Sequence, residues 1–103
     1  MSIQVELDAI AQAVAHQMPL AYLLTVSDDE RVHVVAVVPD VGADIVCSPG
    51  NRARTNIASR STVTLVWPPV DPVEKSLLVD GDARVDGDVV IVTPRSAILH
   101  VTR

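Results

Sequence analysis

Arg52 and Arg54 stand where a Pro49-Gly50 break hands over to a short segment of helical composition, inside the stretch DIVCSPGNRARTNIASRSTVTLVW from Asp44 to Trp67. A loop feeding a helix N-terminus leaves backbone N–H groups unpaired, and the helix dipole adds partial positive charge there. Guanidinium groups at such an entry are the ingredients of a phosphate site. Ser48 either donates to the same anion or caps the following turn. On a helix, Arg52 shares a face with Thr55 and Asn56, three and four residues on. Arg54 lies roughly 200° round from Arg52 at about 100° per residue, so both reach one anion only from a looped backbone.

The other chemistry-bearing side chains are scattered. His33 alternates with valines in an extended run and so lines a groove or faces solvent, and His100 stands near the chain's end. Neither has a Ser, Cys or carboxylate partner in a motif, so no nucleophilic triad is legible and no catalytic residue is assigned. Trp67 either flanks a planar ligand or fills a core at a strand end. Cys47 is the one cysteine, which excludes an internal disulfide and a cysteine-based zinc site and reads as a small buried hydrophobe. Asp80 and Asp82 share a strand face but lack the histidines or further acids of a metal site.

The elements that must position these residues come from a chain of 103 residues, one domain over 1–103 by length. Hydrophobic residues make up 49% of it, yet Tyr22 and Trp67 are the only aromatics, so the core must be aliphatic and rich in strand-favouring β-branched residues. A mean hydropathy of +0.34 is high for so small a domain and predicts apolar surface buried in a homo-oligomer. The net charge of −5 argues against a general nucleic-acid binder, which needs a basic face. No apolar run reaches the ~20 residues of a membrane span, and no basic-then-apolar leader is visible, so a cytoplasmic, membrane-free protein is expected.

Ser2 reads as the cap of a helix whose apolar positions Ile3, Leu7, Ile10 and Val14 recur at helical spacing and which ends before Pro19. Strands follow at Leu20 to Ser27 and Arg31 to Val38, joined by a turn at Asp28-Asp29-Glu30. Pro39 to Gly42 breaks the chain, and Asp44 to Ser48 is a short third strand before the helical segment Asn51 to Ser59. Ser61 to Trp67 is a fourth strand, followed by a proline-stiffened loop. Ser76 to Val85 is a strand with Gly81 at a bulge, and Asp86-Gly87 a hairpin turn. Val89 to Thr93 and Ala97 to Val101 close the chain, separated by Pro94. The fold class is mainly β (α+β by element count), with six or seven antiparallel strands in a small barrel. Val32 to Val38 is apolar on both faces, as a strand between a barrel interior and a partner subunit would be.

This order of elements resembles the pyridoxamine 5′-phosphate oxidase-like, FMN-binding split barrels. The resemblance is carried by Cys47-Ser48, by Asn51-Arg52-Ala53-Arg54-Thr55-Asn56-Ile57, and by Val63-Thr64-Leu65-Val66-Trp67. The Thr25-Val26-Ser27 to Arg31-Val32-His33 hairpin and the segment from Val92 to His100 resemble the family's opening and closing strands. The resemblance implies a split β-barrel with an N-terminal helix and a short helix between the third and fourth strands. It further implies a homodimer holding FMN between subunits, with the flavin phosphate on Arg52 and with Ser48, Asn51, Arg54, Thr55, Trp67 and His33 as cofactor-binding candidates. A flavin-dependent oxidoreductase of a small-molecule substrate is the implied activity.

The family's pattern is also departed from. Its lysine after the phosphate-binding arginine is Ala53 here, its cofactor-contacting arginine on the second strand falls near Val35, and its substrate-closing segment lies beyond the position of Arg103. These departures argue against oxidation of pyridoxamine phosphate itself. A deazaflavin, cofactor F420, is an alternative whose phosphate and acidic tail Arg52 and Arg54 would meet. A non-catalytic dimeric barrel without cofactor is another, favoured by Ala53 and Val35. A haem-binding barrel, with His33 or His100 as iron ligand, ranks last.

Overall fold

The computed structural model describes residues 2–101. Met1, Thr102 and Arg103, the outermost residues of the expected 1–103 domain, lie outside the described residues.

Eight strands and two helices follow one another as β1 (Ser2–Val5), α1 (Ile10–Val14, preceded by a 3-10 turn at Leu7–Ala9), β2 (Ala21–Val26), β3 (Val32–Val37), β4 (Asp40–Val41), β5 (Ile45–Cys47), α2 (Asn51–Ser59), β6 (Thr62–Trp67), β7 (Lys75–Asp86) and β8 (Val89–Val101). The described strands form one antiparallel sheet in the order β3-β2-β6-β7-β8-β5-β4, with β1 added beside β8. β3 and β4 are the two ends of that path, yet only Val38 and Pro39 separate them in the chain. The sheet must therefore curl until its ends approach, which gives a half-barrel with a split.

Strand alternation places Leu23 and Thr25 of β2, Val63, Leu65 and Trp67 of β6, and Leu77 and Val79 of β7 on the concave side, where all are buried. Ile45 and Cys47 of β5 and Val90 and Val92 of β8 complete an aliphatic core around a single indole. α2 lies against β2 and β7 and contributes Ala53, Asn56 and Ile57 to the interior, so it closes one mouth of the curl. Burial of Cys47 raises its thiol pKa from 9.0 to about 11, which leaves it neutral and poorly nucleophilic.

The convex side is a different surface. Across it the register runs Val32 opposite Val26, Val34 opposite Leu24, and Ala36 opposite Tyr22. The band continues through Val66 and Leu78 to Ile98. Val32 is 62% and Val34 53% exposed, so an apolar strip crosses the sheet without a cover from this chain.

Several sequence expectations are corrected. Residues 2–5 form a strand on β8, with Ser2 opposite His100, and not the first turn of a helix. Ser2 caps nothing; its hydroxyl lies 2.8 Å from His100 Nδ1. Local helical spacing yields here to the unpaired edge of β8, whose backbone groups need partners. The helix proper is confined to Ile10–Val14 after its 3-10 turn. Asp40–Val41, read as a break, forms a short strand with β5.

Pro94 does not end a strand. β8 runs through it because β5 pairs with Val90 to Val92 and β1 with Ala97 to His100, which leaves Pro94 in the gap between those neighbours. A bulge sits at the same place. The register passes from Asp80 opposite Ser96 to Gly81 opposite Pro94, so Arg95 is the extra residue, paired with Asp82 at the surface. Gly87, with φ 63°, turns β7 into β8 as its residue type anticipates.

Gly81 is required by close approach. A Cβ there would lie 2.6 Å from the Thr93 carbonyl oxygen and 2.7 Å from Val92 Cγ1. Gly81→Ala is expected to destabilise the fold by about 1–3 kcal/mol, measured as a lowered urea midpoint at constant slope.

Candidate functional site

The β2–β3 hairpin and α2 face one another across an open cleft of about 580 Å³. That volume lies within the range of small-molecule sites. The wall from α2 presents Asn51, Arg52, Thr55 and Asn56, and the opposite wall presents Ser27, Asp29, Arg31, Val32 and His33.

Local chemistry fixes both walls. Gly50 stands at the N-cap of α2 with extended backbone (φ −68°, ψ 177°) and offers no side chain to the helix's first N–H groups. Asn56 points inward and donates from Nδ2 to Thr25 Oγ1 at 3.1 Å, both residues being buried. This hydrogen bond ties the helix to the strand beside β3. Across the cleft, Ser27 N donates to the Arg31 carbonyl at 3.0 Å, and Arg31 N donates to Ser27 Oγ at 3.3 Å. The Ser27 hydroxyl also bonds the Asp29 carboxylate. Glu30 takes a positive φ of 65° to complete this tight turn.

His33 lines the cleft from β3, and its Nδ1 is buried without a hydrogen-bond partner. An unmet buried polar atom carries a cost that functional sites tolerate. Among the described residues the ion pair present joins Arg95 and Asp82, so neither Arg31 nor Arg52 is neutralised by a carboxylate. The cleft thus holds two unpaired guanidinium groups in a protein of net charge −5.

Of the residues singled out in the sequence, His33, Asn51, Arg52 and Thr55 come together here. Arg54 does not join them. Because the helix is regular, Arg54 turns away from Arg52 and donates from Nη1 to the Pro49 carbonyl at 2.9 Å. Ser48 is exposed ahead of the helix and lies outside the cleft lining. Trp67 is 1% exposed, a core residue and not a platform open to ligand, and its carbonyl accepts from Gln17 Nε2 at 3.0 Å. His100 lies on the far strand with Ser2. Ser27, Asp29 and Arg31 were missed as site residues, although Arg31 stands two places before His33 and strand alternation puts both on one face.

A second cleft of about 500 Å³ lies on the other side of the hairpin, lined by Leu24, Val26, Val32, Arg60, Val63 and two threonines. Val32 borders both clefts. Among the described residues no group of three or more His, Cys, Asp or Glu side chains gathers as a metal site, and no helix is long and apolar enough to cross a membrane.

No protein-family model matches the chain. An uncharacterised protein of Mycobacterium bovis is 42% identical over an alignment that covers 94% of this chain and 80% of that protein. A protein of Mycobacterium tuberculosis matches to the same extent. The chain belongs to their family. Among solved structures, a Listeria innocua protein assigned as a pyridoxamine 5′-phosphate oxidase superposes with a TM-score of 0.72 at 14% identity, over 91% of this chain and 98% of that one. An F420 reductase gives 0.66 at 16% identity, over 84% and 94% of the two chains. An FAD-binding protein of Mycobacterium smegmatis gives 0.65 at 18%, over 96% and 97%. The haem storage protein HutZ of Vibrio cholerae gives 0.64 at 12%, over 94% and 96%. The fold of this family is therefore a divergent form of the pyridoxamine 5′-phosphate oxidase-like split barrel.

In this split barrel the cleft depends on the Asn56–Thr25 hydrogen bond. Asn56→Ala leaves the buried Thr25 hydroxyl without its donor and is expected to cost about 1–3 kcal/mol in denaturant unfolding. The double variant Thr25→Val with Asn56→Leu removes both polar groups and is expected to recover part of that loss.

Proposed function

We propose that this split barrel binds a flavin-type cofactor, FMN first, with the cofactor's phosphate in the cleft at Arg52, and that it serves as a redox protein acting on a small molecule. The observation that carries this reading is the convergence of Arg52, Asn51, Thr55 and His33 with a second unpaired arginine in one cleft beside an uncapped helix start. Such a set fits a phosphorylated ligand: guanidinium groups supply charge-assisted hydrogen bonds, and amide and hydroxyl groups supply direction. Proteins of this fold that are named for pyridoxamine phosphate oxidation, F420 reduction and FAD binding support the cofactor class.

A bound flavin supplies hydride chemistry from its ring system, and the protein then supplies binding, orientation and electrostatics. The lack of an acid–base constellation is compatible with that division. Arg52 and the first turn of α2 would hold the anion, Asn51 and Thr55 would orient it, and the apolar Val32 would separate it from the second cleft. Arg54, held on Pro49, has no part in this site.

The same reading includes a homodimer formed through the convex apolar strip of β3, β2 and β6. An apolar band running from the exposed Val32 and Val34 through Tyr22 to the half-buried Val66 is the kind of surface that soluble proteins cover in assemblies. The open edge of β3 adds unpaired backbone groups to it.

The direct test is the absorption spectrum of the purified protein followed by titration with FMN, F420 and haemin. A flavin-type band or micromolar FMN or F420 binding supports the reading. A Soret shift with haemin in their place points to the chemistry named for HutZ, and binding of none of the three leaves a non-catalytic barrel. Arg52→Ala is expected to weaken FMN binding about 10- to 100-fold, the size of a lost charge-assisted hydrogen bond, while riboflavin affinity stays nearly constant. Equal weakening of both ligands would contradict a phosphate role. In sedimentation at micromolar concentration the native protein is expected to run as a dimer and Val34→Lys as a monomer; a monomeric native protein would remove the convex interface.

A further inference from the structure

Arg31 stands across the cleft from Arg52 on a backbone that its neighbours fix. The Ser27 backbone N–H and hydroxyl meet the two ends of Arg31, and the left-handed Glu30 lets the turn close over that short span. Arg31, just before β3, stands two residues from His33, the spacing that puts alternate side chains on one face, and both line the cleft, while Val32 between them borders both clefts. The guanidinium has no carboxylate partner among the described residues, although Asp29 lines the same cleft. Ser27 engages the Asp29 carboxylate instead. On the helix side, Arg54 is committed to Pro49, which leaves Arg52 as the one α2 arginine in the lining.

We propose that Arg31 is the second phosphate-holding residue, that it and Arg52 clamp one phosphoryl group from opposite walls, and that Asp29 opposes the clamp by placing a like charge beside the bound anion. This rests on the phosphate reading above. The clamp is formed between a hairpin tip and a helix, so two separate elements must both be in place before the anion is fully held. A pair of adjacent cations on one helix would impose no such condition. His33, whose Nδ1 is enclosed without a partner, stands next to Arg31 on the same face and lines the wall behind the clamp.

The test uses the intact protein at low ionic strength, where surface charge effects are least screened. FMN, riboflavin and inorganic phosphate are the probes, with flavin fluorescence and calorimetry as readouts. Arg31→Ala is expected to weaken FMN about 10- to 100-fold, with riboflavin changed by less than about 2-fold. Asp29→Asn is expected to tighten FMN and inorganic phosphate by about 2- to 5-fold, a gain that misfolding cannot imitate. Arg54→Ala is expected to affect FMN less than Arg31→Ala does.

FMN binding that depends on Arg52 but is unchanged in Arg31→Ala would overturn the clamp and keep the cofactor reading. Phosphate binding through both arginines without FMN binding would keep the clamp and overturn the cofactor reading. Binding of neither anion would overturn both.

Discussion

Val38 and Pro39 are all the chain that separates one end of the sheet from the other, and the rest of the molecule follows from that short tether. A sheet whose terminal strands are consecutive in sequence cannot lie flat. It curls, its concave face becomes an aliphatic interior, and the place where its edges fail to join becomes a gap. α2 packs against β2 and β7 and is anchored there by three inward residues, one of them the polar Asn56. The ligand-sized cleft is what remains between that helix and the free hairpin of β2 and β3. Fold closure and site formation are therefore one event, and the Asn56–Thr25 hydrogen bond belongs to both.

Charge distribution gives the cleft its character. The chain carries more acids than bases, and its acids crowd the turns. Against that background two guanidinium groups without carboxylate partners face a common space, while the acid nearest to them is held by a serine. A general basic face would attract any polyanion. An isolated pair inside an acidic surface matches the ligand proposed above, a small molecule that presents its charge at one end and bears a less polar body elsewhere.

Much of this was legible in the residues. Alternating valines from Val32 to Val37, the run Thr62 to Trp67 and the turn at Gly87 each carry their element in local pattern, because pleat and turn chemistry act over a few residues. The helix entry after Gly50 was equally local, and Arg52, Asn51 and Thr55 followed from it. The failures have a common cause in long-range pairing. Ser2 to Val5 has helical spacing, yet the unpaired edge of β8 turns it into a strand. Pro94 should end a strand by its own chemistry, and it is accommodated only because two different strands share that edge on either side of it. Arg54 entered as a candidate through the family resemblance and needed a looped backbone to meet Arg52, but the segment is a regular helix, whose repeat turns Arg54 away. Arg31 was overlooked for the opposite reason, since the α2 residues that share its cleft lie far away in sequence. Trp67 shows that a lone aromatic at a strand end goes to the core when the rest of the interior is aliphatic.

The extra residue at Arg95 has a consequence for how the long last strand is written. Before it, the inward positions are even-numbered, Val90 and Val92; after it they are odd-numbered, Ala97 and Leu99. One strand therefore carries two reading frames of the inside–outside code, spliced at a single surface arginine. Loops can gain or lose residues with little effect on a barrel, but in this strand the count matters: losing one residue from either half turns the side chains beyond it to the wrong face, and only the simultaneous loss of the extra residue at the bulge would restore them. The segment from Pro94 to Ser96 behaves as punctuation, and within the family a one-residue change of length in either half of the strand is expected to travel with a change at the bulge.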